Sequence, residues 1–456
     1  MTVHAKSLED LLRSGTSAVD LLRNSPQGPR VFPVVPPQFS NWIDEQRAWR
    51  ESCVLFDQSH HMADLFMDGP DTIRLLSDLG VNSFEDFGVN KAKHYVVCNP
   101  NGEVIGDVIL YHYGHERVDL VGRPSVHNWV RYNIEARGYD VQAEMDESSL
   151  VREGNPAVFR YQVQGPNALA VMEKVTRAPV PKIGFFTMCE VEIAGHTVQA
   201  LRHGVAAQPG YELSGPWEHA EEVRQHILGA GRECGLHPAG TAAYQSATVE
   251  SGWIPCPLPA IYTGDELESY RKWLPATAYE CTTSLGGSFY SEDITDYYVT
   301  PFDLGYASYV KFDHNFVGRD ALEKVARNPP RTKVTLVWEA QDVERIFASL
   351  LGDGLPGKYI SVPSSWYSSI QYDAVVKDGK GVGVSTYCGY TWNERKFLSI
   401  ASVDLELAAP GTEVTLLWGE EPNSSKPQIE PHRQMEIKAT VAPAPYSATA
   451  RTTYKA

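Results

Sequence analysis

The chain has 456 residues, a formal net charge of −17, and 43% hydrophobic against 21% charged residues. That length suggests two to three domains with a full core, and the acidic balance excludes a basic surface for phosphates, so no nucleic-acid partner is expected. Seven cysteines are scattered without a Cys-x-x-Cys pair, MTVHAKSLEDLLRSG has no apolar signal core, and no run approaches 18 apolar residues, which together predict a reducing, cytoplasmic setting without a membrane partner.

Leucines 8, 11, 12, 21 and 22 among polar residues predict short amphipathic helices over 6–24. The stretch VFPVVPPQF (31–39) is held extended by Pro33, Pro36 and Pro37. In HYVVCNPNGEVIGDVILYHY (94–113), two β-branched runs flank NPNG, with Pro second and Gly fourth in the turn, so a β-hairpin is predicted. VFRYQVQ (158–164) reads as a strand, followed by a helix over 165–175 and a second hairpin over 191–204. GTAAYQSATVESGW (240–253) reads as a helix carrying Tyr244 towards Glu250 and Trp253. ARNPPRTK (326–333) marks a boundary. Beyond it, VTLVWEA, KGVGVSTYCGY, FLSIASVDL, GTEVTLLWG and MEIKATVA alternate with Gly and Pro turns, predicting an all-β C-terminal domain, sandwich or barrel. The class is α+β with a β tail.

Common motifs are missing: there is no Gly-x-Gly-x-x-Gly after a strand, no Walker-type Gly-Lys-Ser/Thr and no Gly-x-Ser-x-Gly. His60 and His61 are adjacent, and neighbours on a strand face opposite ways, so no metal site is expected there.

The segment YYVTPFDLGYASYVKFDHNFVGRDAL (297–322) resembles the Leu-Thr-Pro to Ala-Leu segment of the glycine-cleavage T-protein superfamily. GEVIGDVIL (102–110), PGYEL (209–213) and VESGW (249–253) follow in that family's chain order. The resemblance covers essentially the whole chain. It implies a three-domain α+β fold: a discontinuous folate-binding domain (1–50 with 151–255), a hairpin-containing α/β domain lining the substrate site (51–150), a connecting segment (256–330) and a C-terminal β-barrel or sandwich (331–456). It also implies tetrahydrofolate as the one-carbon partner. Two polar handles of glycine cleavage are replaced: Gly106 stands where the family has the first aspartate of an Asp-Asp pair, leaving Asp107, and Tyr244 stands where it has an arginine. FDQSHHM (56–62), NKAKHYV (90–96), LRHG (201–204) and GGSFYSEDITDYYV (286–299) are similar to the tetrahydrofolate-dependent aryl O-demethylase branch, which acts on vanillate, 3-O-methylgallate and syringate.

In that branch a tyrosine at the position of Tyr244 is the catalytic candidate, a proton donor to the departing phenolate. Arg123, following the strand RVDLV, is expected to present its guanidinium fork to an aromatic carboxylate. Gln58, His60 and His61 are expected beside the substrate ring, one histidine lining it and the other structural, with His61 favoured for the ring. Phe32 stands where some relatives have tyrosine, which leaves space for a second methoxy group and favours syringate. The resemblance places Glu212 on the two-donor edge of the pterin, and Trp253 is expected to pack against the pterin or aminobenzoyl rings. Arg202 or Lys93 is the basic residue for the anionic folate tail. Two other readings are a folate-dependent demethylase of a small sulfonium or amine carboxylate, and a non-catalytic folate-binding module. Against the latter, GGSFYSEDITD has no cysteine where the iron–sulfur-assembly relatives carry one. The sequence indicates no oligomeric state.

Overall fold

In the strand Val158–Gln164, Phe159, Tyr161 and Val163 alternate with Arg160, Gln162 and Gln164, and both rows are buried. The computed structural model, which describes residues 6–452 except 30, 115, 116, 256 and 423, shows where each row goes. The apolar row packs under the helices Ala168–Thr176 and Ala220–Gly231. On the polar row, Arg160 reaches a second sheet, whereas Gln162 and Gln164 bond the 203–208 loop.

The first sheet runs in the order Leu236–Ala239, Cys53–Asp57, Val158–Gln164, Gly210–Pro216, His196–Arg202, Met188–Ile193. Its last hairpin closes on Ala194 and Gly195 with φ of 55° and 84°, the left-handed pair that a two-residue hairpin turn needs. The second sheet is antiparallel and runs Lys91–Cys98, Val104–Gly114, Arg117–Gly122, Ala63–Asp68, Gln142–Asp146, with the NPNG turn joining its first two strands. The C-terminal part closes into a six-stranded barrel around Leu336, Trp338, Leu416, Trp418 and Ile437. The five runs predicted there are strands of that barrel, and Asp373–Lys377, too short to stand out in the sequence, is the sixth. No helix among the described residues is long and apolar enough to cross a membrane.

Two stretches sit differently from the expected division of the chain. Cys53–Asp57 pairs with Val158–Gln164 in the first sheet, so the chain crosses to the second sheet only over residues 58–62. Leu8, Val19 and Leu22 of the N-terminal helices pack with Leu65, Leu75 and Leu120 in the core of the second sheet, because that is the apolar surface their leucine stripe meets.

Arg160, 2% exposed, joins the two sheets. Its Nη2 donates to Asp64 Oδ1 at 2.5 Å and Asp119 Oδ2 at 3.3 Å, and its Nη1 donates to Glu212 Oε1 at 3.2 Å. One cation faces three buried carboxylates. Burial and the neighbouring Asp64 charge hold the Asp119 carboxyl well above the usual carboxylate range, so it keeps its proton and relieves the excess charge. Arg160→Leu strands the carboxylates without their cation and is expected to cost on the order of 3–5 kcal/mol. Asp119→Asn replaces a group that is already neutral and should cost less than about 1 kcal/mol. Urea unfolding of the two variants checks the contrast.

Candidate active site

The helix Thr241–Ser251 begins at Gly240, which has no side chain to cap it. Its free N–H groups are used otherwise: those of Thr241 and Ala242 donate to the carbonyls of Pro36 and Pro37, both at 3.1 Å. The 31–37 segment, bent here and not extended as its prolines predict, is thereby strapped to the helix start. A β-carbon at residue 240 would lie 2.3 Å from the Pro37 carbonyl oxygen, so the strap's close approach requires glycine. Within the strap, Val34 has φ of 69° and the Val35 N–H donates to the Pro33 carbonyl at 2.8 Å, a tight three-residue turn next to Phe32. At the far end of the helix, buried Glu250 accepts from Trp49 Nε1 at 3.1 Å, Thr391 Oγ1 at 2.5 Å and Asn393 Nδ2 at 3.1 Å, fixing the helix to the barrel.

Tyr244 occupies the first turn of this helix. Its hydroxyl oxygen accepts from Gln58 Nε2 at 3.0 Å, which leaves the phenolic hydrogen for another acceptor, and His61 Nε2 is 3.2 Å away. The rings of Phe56 and Phe32 stand 5.1 and 5.5 Å from that of Tyr244, and Phe32 lies 4.5 Å from His61. Burial drives the Tyr244 hydroxyl well above its ordinary range, opposed by the Gln58 hydrogen bond, so the group is a proton donor and not a phenolate. Gln58 is 2% exposed, and its buried Oε1 receives no hydrogen bond from the described residues. An O–H donor on a bound ring would satisfy it. Arg123 stands at the N-cap position of the helix Pro124–Arg137 but donates from Nε to the Pro255 carbonyl at 2.9 Å, and its charge is felt at Tyr244.

The structure therefore gathers Tyr244, Gln58, His61 and Phe32, with Arg123 flanking them. His60 turns away. Its Nδ1 is 3.0 Å from Ser149 Oγ, its ring packs on Trp217 at 5.4 Å, and burial keeps its imidazole below the usual range. It lines a separate cavity of about 800 Å³ with Asp57, Tyr161 and Trp217.

On the inner face of the first sheet, Phe56, Gln162, Glu212 and Leu201 stand in register across four strands. Strand spacing puts Glu212 roughly 10 Å from Phe56. Glu212 Oε1 accepts from Tyr111 Oη and Arg160, whereas Oε2 receives no hydrogen bond from the described residues. Gln162 donates from Nε2 to the His203 carbonyl at 2.8 Å, and its buried Oε1 is likewise without a donor. Two neighbouring acceptors fit the two-donor edge of a pterin.

Trp253 follows Gly252 at the helix end, is 41% exposed, and donates from Nε1 to Asp107 Oδ2 at 3.1 Å. His94 Nε2 and Tyr306 Oη meet the same oxygen. At Gly106 a β-carbon would lie 2.8 Å from Ser125 Oγ and 2.9 Å from Val126 Cγ2, so the space of an acidic side chain is filled. Arg202 is the register partner of Tyr211, hence on the opposite face from Glu212, and donates from Nη1 to the Ile183 carbonyl at 3.0 Å. Lys93 donates to the Ser83 carbonyl and lies over Phe84 and Phe87 at 4.2 and 4.3 Å. Sequence reasoning missed Gln162, His94 and Tyr306. The signal for Gln162 was the polar half of VFRYQVQ; none in the sequence brings His94 and Tyr306 together.

Gly240→Ala is expected to cost roughly 1–3 kcal/mol through its clash with the strap. Gly229→Ala, in a helix with open space around the added carbon, should gain about 0.5–1 kcal/mol. Denaturation midpoints of the two variants measure the difference.

With this geometry in hand, comparison with known proteins gives four findings. The GCVT N-terminal domain family matches residues 22–256. The chain is 47% identical over 453 residues to a syringate O-demethylase of Sphingobium sp. (strain SYK-6), covering 99% of this chain and 98% of that protein. It is 27% identical over 431 residues to a sesamin methylene transferase of Sinomonas sp. (strain No.22), covering 91% of each. Among solved structures, the glycine cleavage system aminomethyltransferase T from Bartonella henselae superposes with a TM-score of 0.62 at 18% identity, over 96% of this chain and 97% of that one, a likeness of fold.

Proposed function

As the chain belongs to the glycine-cleavage T-protein family, whose GCVT N-terminal domain it carries at residues 22–256, we propose that it is a tetrahydrofolate-dependent methyltransferase that O-demethylates methoxylated aromatic carboxylates. Syringate is the favoured substrate, then 3-O-methylgallate or vanillate. The products are a phenol and 5-methyltetrahydrofolate. The observation that carries this reading is the Tyr244 hydroxyl, kept protonated inside an aromatic pocket and held by Gln58 and His61, in a chain alike from end to end to a syringate O-demethylase.

Tetrahydrofolate, when bound, supplies the nucleophilic nitrogen. The protein's task is to place the methyl carbon in line and to stabilise the departing oxygen. Tyr244 gives its proton to the ether oxygen as the carbon–oxygen bond breaks. The two groups are both phenols of ordinary pKa near 10, and the burial that raises one raises the other, so the transfer stays close to balanced. His61 restores the hydroxyl proton. The vacant Gln58 Oε1 accepts from the ring hydroxyl, and Arg123 pairs with the carboxylate. Phe32 lies over the ring site without a hydroxyl, which suits a second methoxy group. Glu212 and Gln162 accept from the pterin edge, and the exposed Trp253 face packs on the folate rings. A cationic sulfonium or amine substrate is disfavoured by the Arg123 charge and by the filled space at Gly106.

Anaerobic incubation with tetrahydrofolate and each aromatic acid should yield 5-methyltetrahydrofolate and the demethylated phenol in equal amounts. No transfer from any of the three acids would sink the reading. Tyr244→Phe is expected to lower kcat by about 100-fold or more with little change in substrate affinity, and unimpaired turnover would remove its role. Phe32→Tyr should shift the kcat/KM ratio from syringate towards vanillate by about tenfold.

A further inference from the structure

In-line methyl transfer puts the nitrogen nucleophile and the ether oxygen on opposite sides of the methyl carbon. Tyr244 and His61 serve the oxygen. The nitrogen, N5 of the folate, starts as a secondary amine and must lose its hydrogen on the other side, so a base is needed on the wall across from Tyr244.

Asp107, on the second sheet and hydrogen-bonded to the Trp253 indole proposed to pack on the folate rings, has a particular asymmetry. Its Oδ2 is taken by His94 Nε2, Trp253 Nε1 at 3.1 Å and Tyr306 Oη at 3.2 Å, whereas no described residue donates to Oδ1. Three donors fix the direction of the carboxylate and leave one oxygen open. The residue is 8% exposed, so this is a nearly buried base and not a solvated surface acid. Trp253 ties it to the end of the same helix that carries Tyr244 in its first turn, which sets the spacing of the two groups. His94 is itself braced edge-on by Tyr306 and Tyr309, with ring centroids at 4.7 and 5.2 Å.

Resting on the folate reading above, we infer that Asp107 Oδ1 contacts the N5 hydrogen and accepts it as a proton during transfer, with His94 as the positioning residue that holds Oδ2. The methyl–oxygen bond breaks and its electron pair goes to the oxygen, which takes the Tyr244 proton. The methyl–nitrogen bond forms from the nitrogen lone pair, and the hydrogen that nitrogen carried leaves to Asp107 and then to water. Tyr244 is reprotonated through His61. In sum one proton passes from nitrogen to phenol oxygen, and charge is conserved.

The test is equilibrium binding, because 5-methyltetrahydrofolate lacks the hydrogen that Asp107 would hold. Titrations of the full chain with each folate under anaerobic conditions compare the unmutated protein with Asp107→Asn. Expected is a roughly tenfold loss of tetrahydrofolate affinity with 5-methyltetrahydrofolate affinity within twofold, and a fall in kcat of about 100-fold at unchanged KM for the aromatic acid. Retained 5-methyltetrahydrofolate binding also shows that the variant is folded. Asp107→Glu should recover part of the rate. His94→Gln, which keeps a donor to Oδ2, should preserve the discrimination between the two folates, and His94→Phe should lose it. Equal losses for both folates, or no loss for either, would overturn the inference and leave Asp107 as an anchor for Trp253. Absence of folate binding by the unmutated protein would instead bring down the folate reading itself.

Discussion

A guanidinium sealed between two β-sheets sets the terms for everything around it. Arg160 has carboxylates of both sheets in reach, and its π-face neighbour Tyr111 is also the hydroxyl that holds Glu212. In a low-dielectric interior a lone buried charge is very unfavourable. The sheets are therefore held at the separation where Arg160 reaches all its partners. The polar face this creates leaves acceptor oxygens of Gln162 and Glu212 on the inner side of the first sheet, where two apolar faces would have closed on each other. Glu212 belongs both to that ion cluster and to the proposed folate site, so architecture and ligand recognition share one carboxylate.

The second organising element is the helix Thr241–Ser251. Its N-terminal N–H groups hold the proline strap, its first turn presents Tyr244, its buried Glu250 grips the barrel, and the residues beyond its left-handed Gly252 deliver Trp253 to Asp107. The barrel thus contributes to the site indirectly, by locking the helix that spans it. The crossover at 58–62 completes the arrangement: at the point where the chain leaves one sheet for the other, Gln58 and His61 face Tyr244 and His60 faces away.

Much of this was legible in the sequence because local rules and local structure agree. The NPNG hairpin, the 191–204 hairpin, the helix after VFRYQVQ and the barrel strands each carry their own turn and periodicity signals. What was not legible is long-range. Alternation in VFRYQVQ is compatible with a solvated polar face; the burial of Arg160 follows only from the second sheet lying against it, and Gln162 and Gln164 are bonded by the 203–208 loop. His94 and Asp107 share the 94–113 hairpin, but Trp253 and Tyr306 reach them from distant stretches that no spacing rule unites. Gly240 was read as part of a helix start; its need to admit the Pro37 carbonyl depends on a segment two hundred residues away in the chain. The resemblance to a family supplied Tyr244, Glu212, Gln58, His61 and Phe32, and the packing supplied the hydrogen bonds that join them and added Gln162, His94 and Tyr306.

The two halves of the proposed cleft rest on different kinds of backbone. Glu212 and Gln162 lie mid-strand, where a slip of one residue would turn both side chains to the helix-covered face. Phe32, Gln58 and His61 lie on a strap and a crossover, where a turn can be lengthened or re-aimed without disturbing any ladder of hydrogen bonds. Such a division lets the aromatic side drift under selection while the one-carbon side stays constant. A scaffold built this way is inherently evolvable towards new methyl donors, and the proline strap is where such divergence would be recorded first.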